Sequence, residues 1–221
     1  NGLRNSFKIL SELIPFQLTE VPSGKKVFDW EIPNEWNITD AYILTPDGKK
    51  ICDFKTNNLH VVNYSIPVNK ELSFSELRQH LHTLPDQPDA IPYVTSYYKE
   101  NWGFCISSND LNSLSHEGNY QVYIDSSLKP GSLTFGDLIL KGKTENEILF
   151  SSYLCHPSMA NNELSGPLVM ALLYLKIKSL PERKFTYRFV LAPETIGIIA
   201  YLFENGNHLL NNLCVQFCFS H

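Results

Sequence analysis

No stretch of this sequence approaches the ~18 consecutive apolar residues of a membrane-crossing helix, so no membrane partner is expected. Positive charge is scarce: 18 Lys and Arg stand against 23 Asp and Glu, a net charge of −5. With no arginine-rich run and no glycine loop to cradle phosphate, nucleic acid is excluded as the main partner. Cysteine is sparse and scattered. Cys52, Cys105, Cys155, Cys214 and Cys218 form no Cys-x-x-Cys pair, which argues against a structural zinc site. Their odd, dispersed set reads as a reducing, cytoplasmic compartment, and Cys214 and Cys218, inside an apolar run, read as small buried hydrophobes. There is no Gly-x-Ser-x-Gly elbow, so Ser165 is not expected to be a nucleophile and reads instead as a helix cap. The chain starts at Asn1 without an initiator methionine or a signal-like apolar core, so its start reads as trimmed.

What is present is enough apolar material, 43% of 221 residues, for one domain carrying a subdomain or insertion. Leu3, Phe7, Leu10 and Leu13/Ile14 recur at helical spacing and predict a helix over residues 3–14. The texture then changes to short strands. Ala41–Leu44 and Lys50–Phe54 flank Pro46-Asp47-Gly48, a hairpin signal because proline presets φ and glycine takes φ > 0. Leu59–Tyr64 reads as a strand. Residues 73–84 read as a short helix opened by a capping box of Ser73 and Glu76. A proline-punctuated loop over 85–92 follows, and then strands near 103–106, 120–124 and 136–140. Without alternating long helices, this region reads as mainly antiparallel β.

From about residue 147 the pattern becomes strand–helix–strand–helix–strand. Ile148–Leu154 is a buried strand, and residues 164–178 form a helix that is apolar nearly all round, as in a layered fold. Pro167 falls near the first turn of that helix, where its missing N–H does no harm. Phe185–Ala192 is the next strand, 196–204 a helix stopped by Gly206, and Leu213–Phe219 a last strand. Such an order implies parallel pairing with right-handed crossovers. Ligands of open parallel sheets bind beyond the carboxyl ends of the strands. Two polar loops lie there: one carries His156, Asn161, Asn162 and Glu163, the other Glu194. If the strands are adjacent, an imidazole and carboxylates converge, a combination that suits a metal ion with a general base.

Resemblance adds roles. The segment Ser152-Tyr153-Leu154-Cys155-His156-Pro157-Ser158-Met159-Ala160-Asn161-Asn162-Glu163-Leu164-Ser165-Gly166 resembles the metal-site segment of co-catalytic zinc aminopeptidases. Pro193-Glu194-Thr195-Ile196-Gly197 resembles their Glu-Glu-x-Gly motif. Phe28-Asp29-Trp30, Asn58-Leu59-His60, Ile91-Pro92-Tyr93-Val94 and Trp102-Gly103-Phe104-Cys105 are similar to signatures of a bacterial aminopeptidase-like family often found beside polysaccharide-biosynthesis genes. The resemblance covers nearly the whole chain. It implies an α/β fold: a zinc-exopeptidase-like three-layer sandwich with a mixed sheet and an inserted, mainly antiparallel β subdomain. In domains, residues 1–26 form an N-terminal helical part, 27–125 the insert, and 126–221 the peptidase-like core, incomplete at its C-terminus.

In roles, the resemblance makes His156 a metal ligand, with Asn162 at the position of a bridging Asp and Glu163 next to it as the carboxylate that can replace it. Glu194 is the general base. Ser158 and Thr195 stand where further acidic ligands would be, and the chain stops at His221 before the family's later ligands, which marks it as a fragment or a naturally cut protein. The expected cofactor is zinc, one or two ions, and the expected partner a small peptide or amine-bearing substrate; the oligomeric state is not written in the sequence. The expected activity is a metal-dependent aminopeptidase-like hydrolase cleaving an amide bond beside a free amine. The alternative, from the departures, is a catalytically degraded fold that binds peptide or glycan.

Other residues are weaker candidates. His60 either faces the crevice or bonds to backbone. His80 and His82, two apart on a helix, point to different faces. His116 and His208 read as solvated. Cys155 beside His156 is not expected to be a nucleophile, because neighbours on an extended segment point to opposite faces. His221 reads as a chain-end residue. Trp30, Trp36, Tyr97, Tyr98 and Trp102 line a cleft or fill the β core.

Overall fold

The computed structural model describes residues 2–219; His221 lies outside them. One compact unit is Glu35–Lys129, and the segments on either side of it form the other. The sequence texture had suggested breaks at 27 and 126. The short hairpin of Lys26–Val27 and Trp30–Glu31 stays with the flanking unit, and the strand Asn119–Lys129 runs unbroken past residue 125.

The flanking unit opens with α1 (Gly2–Leu10), whose Phe7 is buried. Five strands follow: β1 (Gln17–Pro22), β2 (Ser132–Leu140), β3 (Glu147–Tyr153), β4 (Thr186–Ala192) and β5 (Leu213–Phe219). They form one sheet in the order β1-β2-β4-β3-β5. β3 pairs parallel with β4 and with β5, whereas β2 runs antiparallel to β4 and to β1. The sheet is therefore mixed. Helix α2 (Asn161–Lys178) joins β3 to β4, and α3 (Ile196–Asn212) joins β4 to β5.

Strand alternation places these helices on opposite faces. Phe189 packs in a cluster with Met170 and Tyr174 of α2, while its neighbour Arg188 donates to the Tyr201 hydroxyl of α3. Helix, sheet and helix make three layers. Each fully buried side chain such as Met170 or Phe189 contributes about 1.5–3 kcal/mol relative to exposure. Gly166 lets α2 approach β3 closely: a Cβ there would lie 2.1 Å from Ser152 Oγ.

Four local expectations change. Helix α2 begins at Asn161, so Pro167 is interior and Ser165 does not cap; a turn from Met159 O to Asn162 N starts the helix early. One face of α2 is buried through Gly166, Met170, Ala171 and Tyr174, but Leu164, Leu168, Leu172 and Leu175 are exposed, because the sheet covers a single side. Helix α3 runs through Gly206 to Asn212, carried by the burial of Leu209 against the sheet. Cys214 and Cys218 are exposed, not buried, since β5 is the edge strand. All five cysteines are free thiols.

The Glu35–Lys129 unit is built on a four-stranded antiparallel sheet of Lys50–Ile51, Glu35–Leu44, Asn119–Lys129 and Val68–Ser73. The Pro-Asp-Gly hairpin is in place, with Gly48 at φ +82°. The capping box of Ser73 and Glu76 forms, but the α-helix is just Phe74–Leu77 and tightens into a 3-10 turn before Leu81 pairs with Phe104. His82 is accordingly on a strand. Leu59 lies in a 3-10 turn, Asn58–His60, not a strand. The Asn57 side chain accepts from Leu59 N and draws the backbone into a cap. Among the described residues no helix is long and apolar enough to cross a membrane.

Candidate functional site

Parallel pairing of β3 with β4 runs to Tyr153 opposite Ala192, and Leu154 N still donates to Ala192 O at 3.1 Å. The chain leaves both strands at the same level. His156, three residues beyond Tyr153, and Glu194, two beyond Ala192, therefore meet: Nε2 lies 3.3 Å from Glu194 Oε2. Sequence reasoning expected this convergence, and the geometry has it.

Glu163 comes from the first turn of α2, where a carboxylate is favoured by the helix dipole. It is 6% exposed. Its Oε1 lies 2.6 Å from His156 Nδ1, and its Oε2 accepts from Cys155 N at 2.5 Å. His156 thus stands between two carboxylates, one buried and one, Glu194, with its side chain 53% exposed. Hydrogen bonds to Cys155 Sγ and to Glu163 raise the His156 pKa to about 10, against the opposing effect of burial.

Asn162, the other ligand the resemblance suggested, does not share this contact. Its Oδ1 is buried without a hydrogen-bond partner. A buried carboxylate, an imidazole and a thiol together form a donor set that suits a divalent cation of the zinc class. Cys155, His156 and Glu163 place one ligand atom each within 4.8 Å of one another. On an extended segment Cys155 and His156 would point to opposite faces, the reason Cys155 is not expected to act as a nucleophile. The chain has left the strand by Cys155, however, and its Sγ is 3.7 Å from His156 Nδ1 while accepting from Glu194 N at 3.2 Å.

The two loops hold strained backbone. Ser158, Ala160 and Thr195 have φ of +59°, +43° and +57°. Around Thr195 the Ile196 N–H bonds back to Glu194 O at 2.6 Å, a tight γ-turn of a rare kind. Non-glycine residues in such conformations cost of order 1–3 kcal/mol each and concentrate at functional sites. Ser158 and Thr195, where the resemblance puts acidic ligands, thus sit at the turns that aim His156 and Glu194.

The remaining candidates lie elsewhere. His60 bonds through Nδ1 to Cys105 O at 2.8 Å and lines a cleft of the Glu35–Lys129 unit with Asp47, Asp110 and Tyr120. His80 stacks on the buried Trp102, with centroids 3.6 Å apart, so both serve the β core. Trp36 stacks on Tyr64, and Tyr97 packs against an exposed Tyr98. His116 stacks on Phe74. His208 is not a companionless solvated residue: its Nε2 meets Glu147 Oε1 at 2.8 Å.

Comparison with known proteins agrees with this fold. The family model described as "Domain of unknown function (DUF4910)" matches residues 1–219. A curated protein of Clostridium acetobutylicum, named "Putative polysaccharide biosynthesis protein with aminopeptidase-like domain", is 49% identical over 211 residues, 96% of this chain and 48% of that protein. A solved Clostridium acetobutylicum structure, named "putative peptidase", superposes with a TM-score of 0.94 at 47% identity, over 100% of this chain and 51% of that one. A zinc aminopeptidase from Bacillus subtilis has a TM-score of 0.62 at 12% identity over 98% of this chain and 62% of its own, a likeness of fold alone. The chain spans about half the length of the curated relative it matches. It belongs to the DUF4910 family, with the α/β fold of aminopeptidase-like domains.

Proposed function

We propose that this chain carries the His156–Glu194 part of the site of a metal-dependent hydrolase that cleaves an amide bond next to a free amine in a small peptide or related substrate. The observation that carries the reading is His156 held between the buried Glu163 and the accessible Glu194 at the ends of adjacent parallel strands. Fold likeness to a zinc aminopeptidase supports it.

His156 and Glu163 would hold a zinc ion. Bound zinc would supply Lewis acidity toward the scissile carbonyl and toward water. Glu163 is fixed for its role by the Cys155 amide, which holds one carboxylate oxygen. Glu194 is placed to take a proton from water: one oxygen steadies His156 Nε2 and the side chain remains open to solvent. Its position at the start of α3, on the strained Thr195 turn, keeps the carboxylate aimed across the gap between β3 and β4.

The test is amine release from aminoacyl anilides by the full-length protein and its Glu194→Gln variant. Loss of a positioned general base predicts a fall of about 10²–10⁴ in kcat, measured for both proteins at saturating zinc. Equal turnover by the two proteins would rule out this role for Glu194.

A further inference from the structure

Ser158 and Thr195 leave the loops short of anionic donors, and Cys155 stands where one can be supplied. Three side chains reach a common point from one short segment and one helix turn. Cys155 Sγ is 3.7 Å from His156 Nδ1, Glu163 Oε1 is 2.6 Å from the same nitrogen, and all three donor atoms lie within 4.8 Å of one another. The thiol is oriented independently of the histidine, because the Glu194 amide donates to Sγ at 3.2 Å. Glu163 is buried and anchored by the Cys155 amide, so its second oxygen is aimed at Nδ1 rather than at solvent.

Bond lengths of about 2.0–2.3 Å put the donors of a tetrahedral zinc site roughly 3.3–3.7 Å apart. The sulfur–nitrogen separation already fits. The nitrogen–oxygen separation is a hydrogen-bond distance and opens by under about 1 Å when a cation replaces the proton between them. We propose that Cys155, with His156 Nδ1 and Glu163, forms a three-donor mononuclear site for a zinc-class cation, with the fourth position open to water or substrate. A thiolate and a carboxylate balance the two positive charges of the ion, which the resemblance alone would assign to carboxylates at positions 158, 162 and 195. The Nε2–H of His156 then faces Glu194 Oε2, the outer carboxylate that fixes a ligating imidazole. This inference rests on the metal-dependent reading above and names a ligand that reading does not require.

Cobalt(II) reports the donor directly. Full-length protein kept reduced, stripped of metal and titrated with cobalt should bind one equivalent and develop a near-ultraviolet thiolate-to-cobalt charge-transfer band. The band should be lost in Cys155→Ser and kept in a Cys214→Ser/Cys218→Ser double variant, which removes the two exposed thiols. Should Cys155→Ser fail to fold, Cys155→Asp supplies an oxygen donor and should bind cobalt without the band. Cobalt bound by the unsubstituted protein without the band, or a band that survives loss of Cys155, overturns the cysteine assignment and leaves the metal-dependent reading standing. No cobalt bound by the unsubstituted protein overturns both.

Discussion

His156 is the residue on which the site's electrostatics converge: hydrogen bonds to Cys155 and Glu163 raise its pKa from the usual 6.5 to about 10. A raised pKa means that the charged form is stabilised by folding. In metal-free protein this contribution is therefore fully present below 6.5 and is lost as pH rises through about 10. The ring resonances of His156 in metal-free protein should show no titration around neutral pH, and Glu163→Gln should lower the midpoint by removing one of the two contacts that raise it. An unsubstituted midpoint near 6.5 would contradict the contact geometry. Glu20 behaves with the opposite sign. Hydrogen bonds from Arg4, and from Ser132 and Thr134, hold its carboxyl at about 2 against the effect of burial. Its stabilising contribution is present above 4.5 and is lost as pH falls toward 2. Glu20→Gln should flatten the acid limb of a stability–pH curve, and an unchanged limb would show that the Arg4 pair contributes nothing.

At the scale of elements, α3 carries a glycine that it does not need. Gly206 is interior to the helix, and a Cβ built there meets nothing within 4 Å. Gly206→Ala should stabilise the protein by about 0.5–1 kcal/mol, read from denaturant midpoints, because glycine costs that much relative to alanine inside a helix. A destabilised variant would show that the helix breaks there. That glycine also shows where the sequence misled: Gly206 reads as a stop signal, but the burial of Leu209 one turn later outweighs the local preference. The start of α2 moved for a different reason, the turn in which Asn162 N bonds to Met159 O at 3.0 Å. The apolar runs Ile148–Leu154 and Phe185–Ala192, by contrast, were legible: they coincide within a residue with the mostly buried β3 and β4, and the placement of His156 and Glu194 beyond them followed. Cys155 was not legible, because its direction depends on where the chain leaves β3. The choice between Asn162 and Glu163 was not legible either, since a shift of one residue at a helix start rotates the side chain by about 100°.

Across the molecule, the flanking unit is tied together by a buried charge network. Arg188 on β4 makes two bonds to Glu147 on β3, at 2.7 and 3.0 Å, and one each to Asp137 on β2 and Tyr201 on α3. His208, further along α3, caps the same Glu147. Burial opposes these charges, and the bonds offset that cost only while every partner is present. Glu147→Leu should therefore destabilise by about 3–5 kcal/mol in denaturant unfolding, because it leaves the Arg188 guanidinium buried and short of its main partner. A loss under about 1 kcal/mol would mean that water reaches Arg188.

The same β2-β4-β3 platform positions the loops in which His156, Glu163 and Glu194 meet, and the metal-dependent site is proposed there, at the carboxyl ends of β3 and β4. The zinc content of full-length protein, measured by elemental analysis after dialysis against zinc and then against metal-free buffer, tests that claim most directly. One equivalent per chain, lost in His156→Ala at unchanged folded content, is the result this account predicts. A protein that holds no zinc, or a His156→Ala variant that retains it, would contradict it.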